Sequence, residues 1–258
     1  MLELSEAEFR EFGIRGYVIL RDVIPSATLT AASRAIDHLI DEQPPPEGHV
    51  GNHFYWLSSL DGGPLPGLFY DTPVRSLAQS LIDPGEIEIA FNQVQVALNI
   101  PPFSHRPGGH HLDGYLEGQQ DPATFTMLAG VLMTEQRVEN AGNLWVWPGT
   151  HRTHAAFFRE RGPEALVELK GYPKIELPEP SQILGGPGDV ILAHYMLGHN
   201  IGGNYESEKV RRAVYFRLRR VGHGHRWREC LCDELLEFDP VRAVLNRATG
   251  PGHSSGHI

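Results

Sequence analysis

Three residues, at positions 111, 113 and 199, carry the chemistry that this sequence is equipped to do. His111-Leu112-Asp113 offers an imidazole and a carboxylate one residue apart, and a second imidazole, His199, follows 88 positions later. Two histidines and one carboxylate are the ligand set of a mononuclear non-haem Fe(II) site. Such a site binds three protein groups on one face and leaves the opposite positions open for a co-substrate and O₂. Arg211, twelve residues beyond His199, has a guanidinium fork suited to a carboxylate bound near those open positions.

The elements around these residues must bring them together. Residues i and i+2 of a strand share a face, roughly 6.5 to 7 Å apart, so His111 and Asp113 can converge on one ion at about 2.0 to 2.2 Å from each ligand. The dipeptide pattern is weak by itself. With 14 histidines and 32 acidic residues in 258 positions, chance supplies such a match, and on the dipeptide alone a turn histidine beside a turn aspartate after Pro107-Gly108-Gly109 is the better reading. Downstream, Pro187-Gly188-Asp189 leads a strand toward His199, and Asn200 to Ser207 is turn-rich. A return strand begins at Val210. A hairpin centred near Tyr205 sets His199 opposite Arg211, with Cβ atoms about 5 Å apart. Along that strand Arg211, Ala213, Tyr215 and Arg217 share one face, and Arg212, Val214, Phe216 and Leu218 the other.

One rival metal set exists. His223-Gly224-His225 and Cys230-Leu231-Cys232 hold the inventory of a zinc site, but zinc cysteines are usually spaced by two to four residues. Buried structural cysteines are the simpler reading. The arginines at 217, 219, 220, 226 and 228 read as solvated charge, with an anionic substrate such as an acyl-CoA as the alternative.

The chain opens as helix, strand, helix. Ser5 and Glu8 form a capping-box pattern over a short helix to about Phe12. Gly16 to Leu20 is an apolar strand, and a longer helix follows Pro25-Ser26 with Leu29, Ala32, Ile36, Leu39 and Ile40 at helical spacing. Residues 43–67, rich in Pro, Gly and His, read as a long loop around the aromatic run His53-Phe54-Tyr55-Trp56. After a short helix over 73–81 come strands over 86–100, 125–133, 142–147, 189–194 and 210–218. The turn Pro148-Gly149-Thr150 closes the third of these. Many short strands with Gly and Pro turns predict a mainly β (α+β) architecture, closed or sandwiched. A last helix is expected over 233–245, broken or restarted at Pro240. Residues 1–248 read as a single domain and 249–258 as a frayed Gly- and Ser-rich tail.

Bulk properties narrow the function classes. Hydrophobic content of 41% and charged content of 21% are those of a globular protein. A formal net charge of −10 argues against nucleic-acid binding, which needs a basic face. There is no signal-peptide pattern and no apolar run long enough for a bilayer. Two cysteines imply no disulfide framework, so a cytoplasmic location is expected. Nothing in the residues specifies an oligomeric state.

Four stretches, in order, resemble the phytanoyl-CoA dioxygenase family of Fe(II)- and 2-oxoglutarate-dependent oxygenases. They are Gly16-Tyr17-Val18-Ile19-Leu20-Arg21-Asp22-Val23; His111-Leu112-Asp113; Glu139 to Arg152, with Gly142-Asn143-Leu144-Trp145-Val146-Trp147-Pro148-Gly149-Thr150-His151 at its heart; and Gly188 to His199, followed by Val210-Arg211-Arg212-Ala213. The likeness spans about residues 5 to 245. It implies a double-stranded β-helix, or jelly roll, with flanking N- and C-terminal helices. It also makes His111, Asp113 and His199 the catalytic iron ligands and Arg211 the partner of the distal carboxylate of 2-oxoglutarate. Gln95 and Asn99 match positions that contact 2-oxoglutarate in some relatives, and they share a strand face with Gln93 and Ala97. His194 matches a family histidine with a structural role. Relatives often have Gly-Ser after the distal histidine, where this chain has Asn200-Ile201, so one hydroxyl contact to 2-oxoglutarate is absent.

The implied activity uses Fe(II), 2-oxoglutarate and O₂ to oxidise an unactivated C–H bond of a small-molecule substrate, releasing succinate and CO₂. Halogenating relatives replace the carboxylate with a small residue, so Asp113 points to hydroxylation or a related oxidation. Trp56, Tyr55 and Tyr115 are the expected substrate contacts. The alternatives are a non-catalytic jelly-roll protein that binds a small molecule and a metal-dependent oxygenase without 2-oxoglutarate.

Overall fold

The computed structural model of the chain describes residues 2–115, 117 and 121–249. Its elements, in order, are α1 (Glu6–Arg15), β1 (Tyr17–Leu20), α2 (Ser26–Glu42), β2 (Gly51–Ser58), α3 (Pro64–Tyr70), α4 (Val74–Ile82), β3 (Ile87–Ile100), β4 (Met127–Leu132), β5 (Leu144–Val146), α5 (Thr150–Arg161), α6 (Ala165–Glu168), β6 (Ser181–Gln182), β7 (Val190–His194), β8 (His199–Ile201), β9 (Arg211–Arg220), α7 (His223–Cys232) and α8 (Asp239–Thr249). The tail expected beyond residue 248 lies, from residue 250 onward, outside the described residues.

The strands pair antiparallel into a large sheet of order β1-β7-β4-β9-β3-β2 and a small sheet of order β6-β5-β8. With helices outside, this is the jelly-roll α+β architecture expected from the sequence. Period-two alternation builds two cores, because successive side chains of a strand leave opposite faces. On β9, Val214, Phe216 and Leu218 face outward and pack with Leu77, Leu81, Ile36 and Phe12 from the helices. Ala213 and Tyr215 face inward and pack with Leu144, Val146, Ala193 and Phe158. Arg211 and Arg217 share that inner parity. No helix among the described residues is long and apolar enough to cross a membrane.

Local signals account for most of the ends. The Ser5 hydroxyl accepts the Glu8 N–H while the Glu8 carboxylate accepts the Ser5 N–H, closing the capping box over α1. Elsewhere the structure departs from expectation. Residues 43–67 are not one loop: Gly51–Ser58 is β2, paired with β3 from Gly51↔Ile100 to Ser58↔Gln93. The run of aromatics hides its alternation, since Phe54 and Trp56 are exposed while Tyr55 between them is buried. Pro64 then opens α3, where its missing N–H is harmless. Thr150 does not end in a turn but starts α5. At the C-terminus, α7 already covers Cys230 and Cys232 and residues 233–238 are not helical, while the expected restart at Pro240 is met by α8, which has Pro240 in its first turn.

The hairpin centred on Tyr205 does not form. His199 pairs with Val146 in the small sheet, whereas Arg211 pairs with Asn99 in the large one. The connection crosses between sheets because Asn204 is tied to Phe103 by two backbone hydrogen bonds of 2.8 Å. The Asn204 amide also donates to the carbonyls of Asn99 and Lys209. These bonds use the groups a hairpin would have paired.

Candidate metal centre and its cavities

The three candidate ligands converge. His199 opens β8, and the His111 N–H donates to the His199 carbonyl at 3.2 Å in an isolated antiparallel bridge. Asp113 Oδ1 stands 3.4 Å from His111 Nε2 and 3.9 Å from His199 Nε2. Two donors that share one ion at about 2.1 Å stand about 3.0 to 3.4 Å from each other, so the His111–Asp113 pair has ligand-like spacing and His199 is slightly wider. His199 Nδ1–H donates to the Leu197 carbonyl at 3.0 Å. That tautomer leaves the Nε2 lone pair toward Asp113.

Electrostatics suit a cation. Burial and the neighbouring His111 bring His199 down to about 4, so its imidazole is neutral near pH 7. Burial works to raise the Asp113 carboxyl, but the His111 hydrogen bond and the Arg217 charge outweigh it. Together they hold Asp113 far below the usual carboxylate range. Arg217 Nε donates to Asp113 Oδ2 at 3.0 Å, and Nη2 lies 2.9 Å from the same oxygen. Its guanidinium also sits 5.0 Å from the Trp56 ring centre and 5.8 Å from that of Phe125.

Arg211 is placed differently. It is 1% exposed, and no carboxylate pairs with it among the described residues. Its Nε donates to Gln136 Oε1 at 3.2 Å, and Nη2 donates to the Tyr215 hydroxyl. Arg211 Nη1 and Gln136 Nε2 are buried with no hydrogen-bond partner. A buried guanidinium with an idle donor is costly unless an anion completes it. Across the sheet Arg211 is opposite Asn99, and Tyr215 is opposite Gln95, which is in turn opposite Trp56. Gly130 on β4 makes room for Tyr215, since a Cβ there would meet the ring at 2.7 Å.

Two cavities flank the triad. One, of about 340 Å³, is lined by Gln95, Tyr215, Ile201, Leu144, Phe54 and the three ligand residues among others. The second, of about 620 Å³, is lined by Trp56, Phe91, Tyr115, Lys170, Tyr172 and Arg217 together with His111 and Asp113.

Of the sequence candidates, Gln95, Trp56 and Tyr115 line these cavities. Tyr55 does not. It points to the outer core and donates its hydroxyl to the Gln43 carbonyl at 2.7 Å, because neighbouring strand residues face opposite ways. Asn99 is buried rather than cavity-lining, with its amide donating to Asn52 Oδ1 and the Gly202 carbonyl. Arg217 is not a solvated cation. Gln136, Phe91, Lys170 and Tyr172 carry no local sequence signal, whereas Tyr215 and Arg217 could have been found from their shared strand face with Arg211.

A second cluster lies at α7, where His223, Cys230 and Glu237 bring their ligand atoms within 4.8 Å of one another. His225 and Cys232 are not part of it. His223 Nδ1 is only 2.8 Å from Glu237 Oε2, which also accepts from Thr126 at 2.7 Å, and His223 Nε2 is 3.0 Å from Thr124 Oγ1. These bonds engage both His223 nitrogens and Glu237 Oε2 within the protein, with Glu237 Oε1 buried and unpartnered, and burial pushes the Cys230 thiol up, away from thiolate. His194 is likewise structural: Nδ1 accepts the Met196 N–H and Nε2 donates to the Glu234 carbonyl.

No family model matches the chain, and no curated protein sequence does. Solved structures do. The non-heme α-ketoglutarate-dependent carbocyclase SnoK from nogalamycin biosynthesis aligns at TM-score 0.63 and 18% identity over 87% of this chain and 90% of its own. HygX from Streptomyces hygroscopicus, with nickel and 2-oxoglutarate bound, aligns at 0.60 and 15% over 84% and 88%. EctD from S. alaskensis, with bound Fe, aligns at 0.60 and 19% over 84% and 77%. At these identities the likeness establishes the shared jelly-roll fold.

Proposed function

We propose that the chain is an Fe(II)- and 2-oxoglutarate-dependent dioxygenase of the phytanoyl-CoA dioxygenase family that oxidises a C–H bond of a small molecule. In this reading His111, Asp113 and His199 hold the iron, and Arg211 pairs with the distal carboxylate of 2-oxoglutarate. The observation that carries it is a convergent His/Asp/His set together with Arg211, a buried cation whose Nη1 has no partner. Gln136 Nε2, also idle, is a second donor for the same carboxylate. The metal and 2-oxoglutarate in HygX and the iron in EctD support the same ligand chemistry here.

When bound, Fe(II) and 2-oxoglutarate supply O₂ activation coupled to oxidative decarboxylation, with succinate and CO₂ as products. The chain's own residues do the rest. Arg217 fixes Asp113 so that Oδ1 faces the two imidazoles. Tyr215 holds Arg211 by its hydroxyl and lines the smaller cavity beside Gln95. Ile201 and Leu144 keep that cavity partly apolar, which strengthens the charge pairing within it. Trp56 and Tyr115 wall the substrate side. Asp113 favours hydroxylation or a related oxidation over halogenation. Two free cysteines accord with a reducing, cytoplasmic setting.

Anaerobic addition of Fe(II) and 2-oxoglutarate should produce a weak visible charge-transfer band, absent in His111→Ala. Absence of the band, together with unchanged 2-oxoglutarate binding in His111→Ala, identifies a non-catalytic binding protein instead. Activity spared in Arg211→Ala identifies an oxygenase that does not use 2-oxoglutarate.

A further inference from the structure

The larger cavity has walls that select an occupant. Its volume of about 620 Å³ falls within the ~300 to 1,000 Å³ of pockets that enclose small ligands. Three of its residues, Trp56, Phe91 and Tyr172, are 48%, 44% and 61% exposed. Large rings left open to water beside a metal-type site form an apolar surface awaiting a partner. Tyr172 also lies 6.3 Å from His111, ring centre to ring centre.

The backbone is strained at two of these walls. Phe91 has φ of 59° and Lys170 φ of 54°, both in the left-handed region. A non-glycine residue there is strained, because its Cβ crowds the neighbouring carbonyl oxygen. Phe91 lies in the stretch where the β3–β9 register shifts between Ile89 and Val94. Bulges of this kind re-aim side chains next to active sites. The segment carrying Lys170 and Tyr172 is tied to the triad, since the Leu112 N–H donates to the Gly171 carbonyl at 2.8 Å.

Charge adds a second selection. The chain carries a formal −10, yet among the described residues these walls hold Arg217 and Lys170 against one carboxylate, Asp113. Arg217 is committed to Asp113. Lys170 has no acidic partner among the described residues, so it is the cation left for a ligand.

We propose that this cavity binds a planar aromatic substrate bearing a carboxylate, with its rings among Trp56, Phe91 and Tyr172 and its carboxylate on Lys170. The proposal rests on the oxygenase reading only in taking this cavity as the substrate's.

The test uses the full-length protein with Fe(II) and 2-oxoglutarate under anaerobic conditions, titrated calorimetrically with 2-naphthoate, 2-naphthamide and decanoate. Naphthoate should bind tightest, with the neutral amide and the aliphatic acid each weaker by about tenfold. Lys170→Met should bring naphthoate to the amide's level and leave the amide unchanged. Phe91→Asn, which keeps a residue tolerant of the left-handed backbone, should weaken both aromatics by about tenfold. Equal binding of naphthoate with the amide or with decanoate overturns the proposal, as does naphthoate binding unchanged in Lys170→Met, or no binding at all. The charge-transfer band, read in the same samples, separates the two claims. Band absent with naphthoate selectivity intact overturns the oxygenase alone, and band present without selectivity overturns the substrate class alone.

Discussion

Arg217 grips the Asp113 oxygen that faces away from the histidines: Nε and Nη2 lie 3.0 and 2.9 Å from Oδ2, while Oδ1 points at His111 and His199. The arginine therefore sets the carboxylate's rotation and keeps it ionised, two conditions for a good ligand. Residues that orient ligands in this way typically contribute ~10- to 100-fold to metal affinity. Arg217→Met should weaken Fe(II) or Co(II) binding within that range, measured by anaerobic titration. Arg217→Lys, which keeps the charge but loses the fork, should recover only part of it.

Tyr215 and Arg211 form the corresponding pair on the co-substrate side. Removing the hydroxyl in Tyr215→Phe leaves Arg211 Nη2 without its acceptor and takes a polar group from the cavity wall. Affinity for 2-oxoglutarate should fall by roughly 3- to 10-fold, and Arg211→Met should lower it by at least about 10-fold, since hydrogen bonds to a charged group contribute ~1.5 to 3 kcal/mol. Metal affinity, measured separately, should stay unchanged in both variants.

Gly142 has φ of +80°, and a Cβ there would meet Arg211 Cβ at 2.9 Å and Asn99 Cβ at 3.0 Å. Gly142→Ala combines left-handed strain with overpacking, together about 2 to 5 kcal/mol. Thermal unfolding should shift down by at least about 5 °C. Because the clash falls on Arg211, 2-oxoglutarate binding in the folded variant should weaken too.

Stability should fall in mild acid. Burial chiefly brings His194 down to about 4, with Glu237 opposing that shift and His223 adding to it. Its ring packs between Phe12, His151 and Phe238. The folded-state value lies below the unfolded one near 6.5, so between these pH values only the unfolded chain binds the proton. Stability is therefore lost as pH drops from about 6.5 toward 4, at about 1.4 kcal/mol per unit for one such group. Buried His154, brought down to about 3, acts in the same direction. Urea midpoints at pH 7 and pH 5 should differ accordingly, and His194→Gln should flatten part of the slope.

Features that depend on residue type and short spacing were legible in the amino-acid sequence. The His111-x-Asp113 pair, the capping box at Ser5, the apolar strands and the inner parity of Arg211, Tyr215 and Arg217 follow from local periodicity, and the structure has them. The hairpin linking His199 to Arg211 failed because register is settled by long-range partners. Val146 takes His199 into the small sheet and Asn99 takes Arg211 into the large one, and both lie far from residue 205 in sequence. Tyr55 and Trp56 are adjacent and chemically alike, so only the pairing of β2 with β3 decided that Trp56 faces the cavity and Tyr55 the core. For Arg217, no local pattern separates a surface cation from the residue that holds Asp113. That difference arises 104 positions away, where folding brings a carboxylate to it.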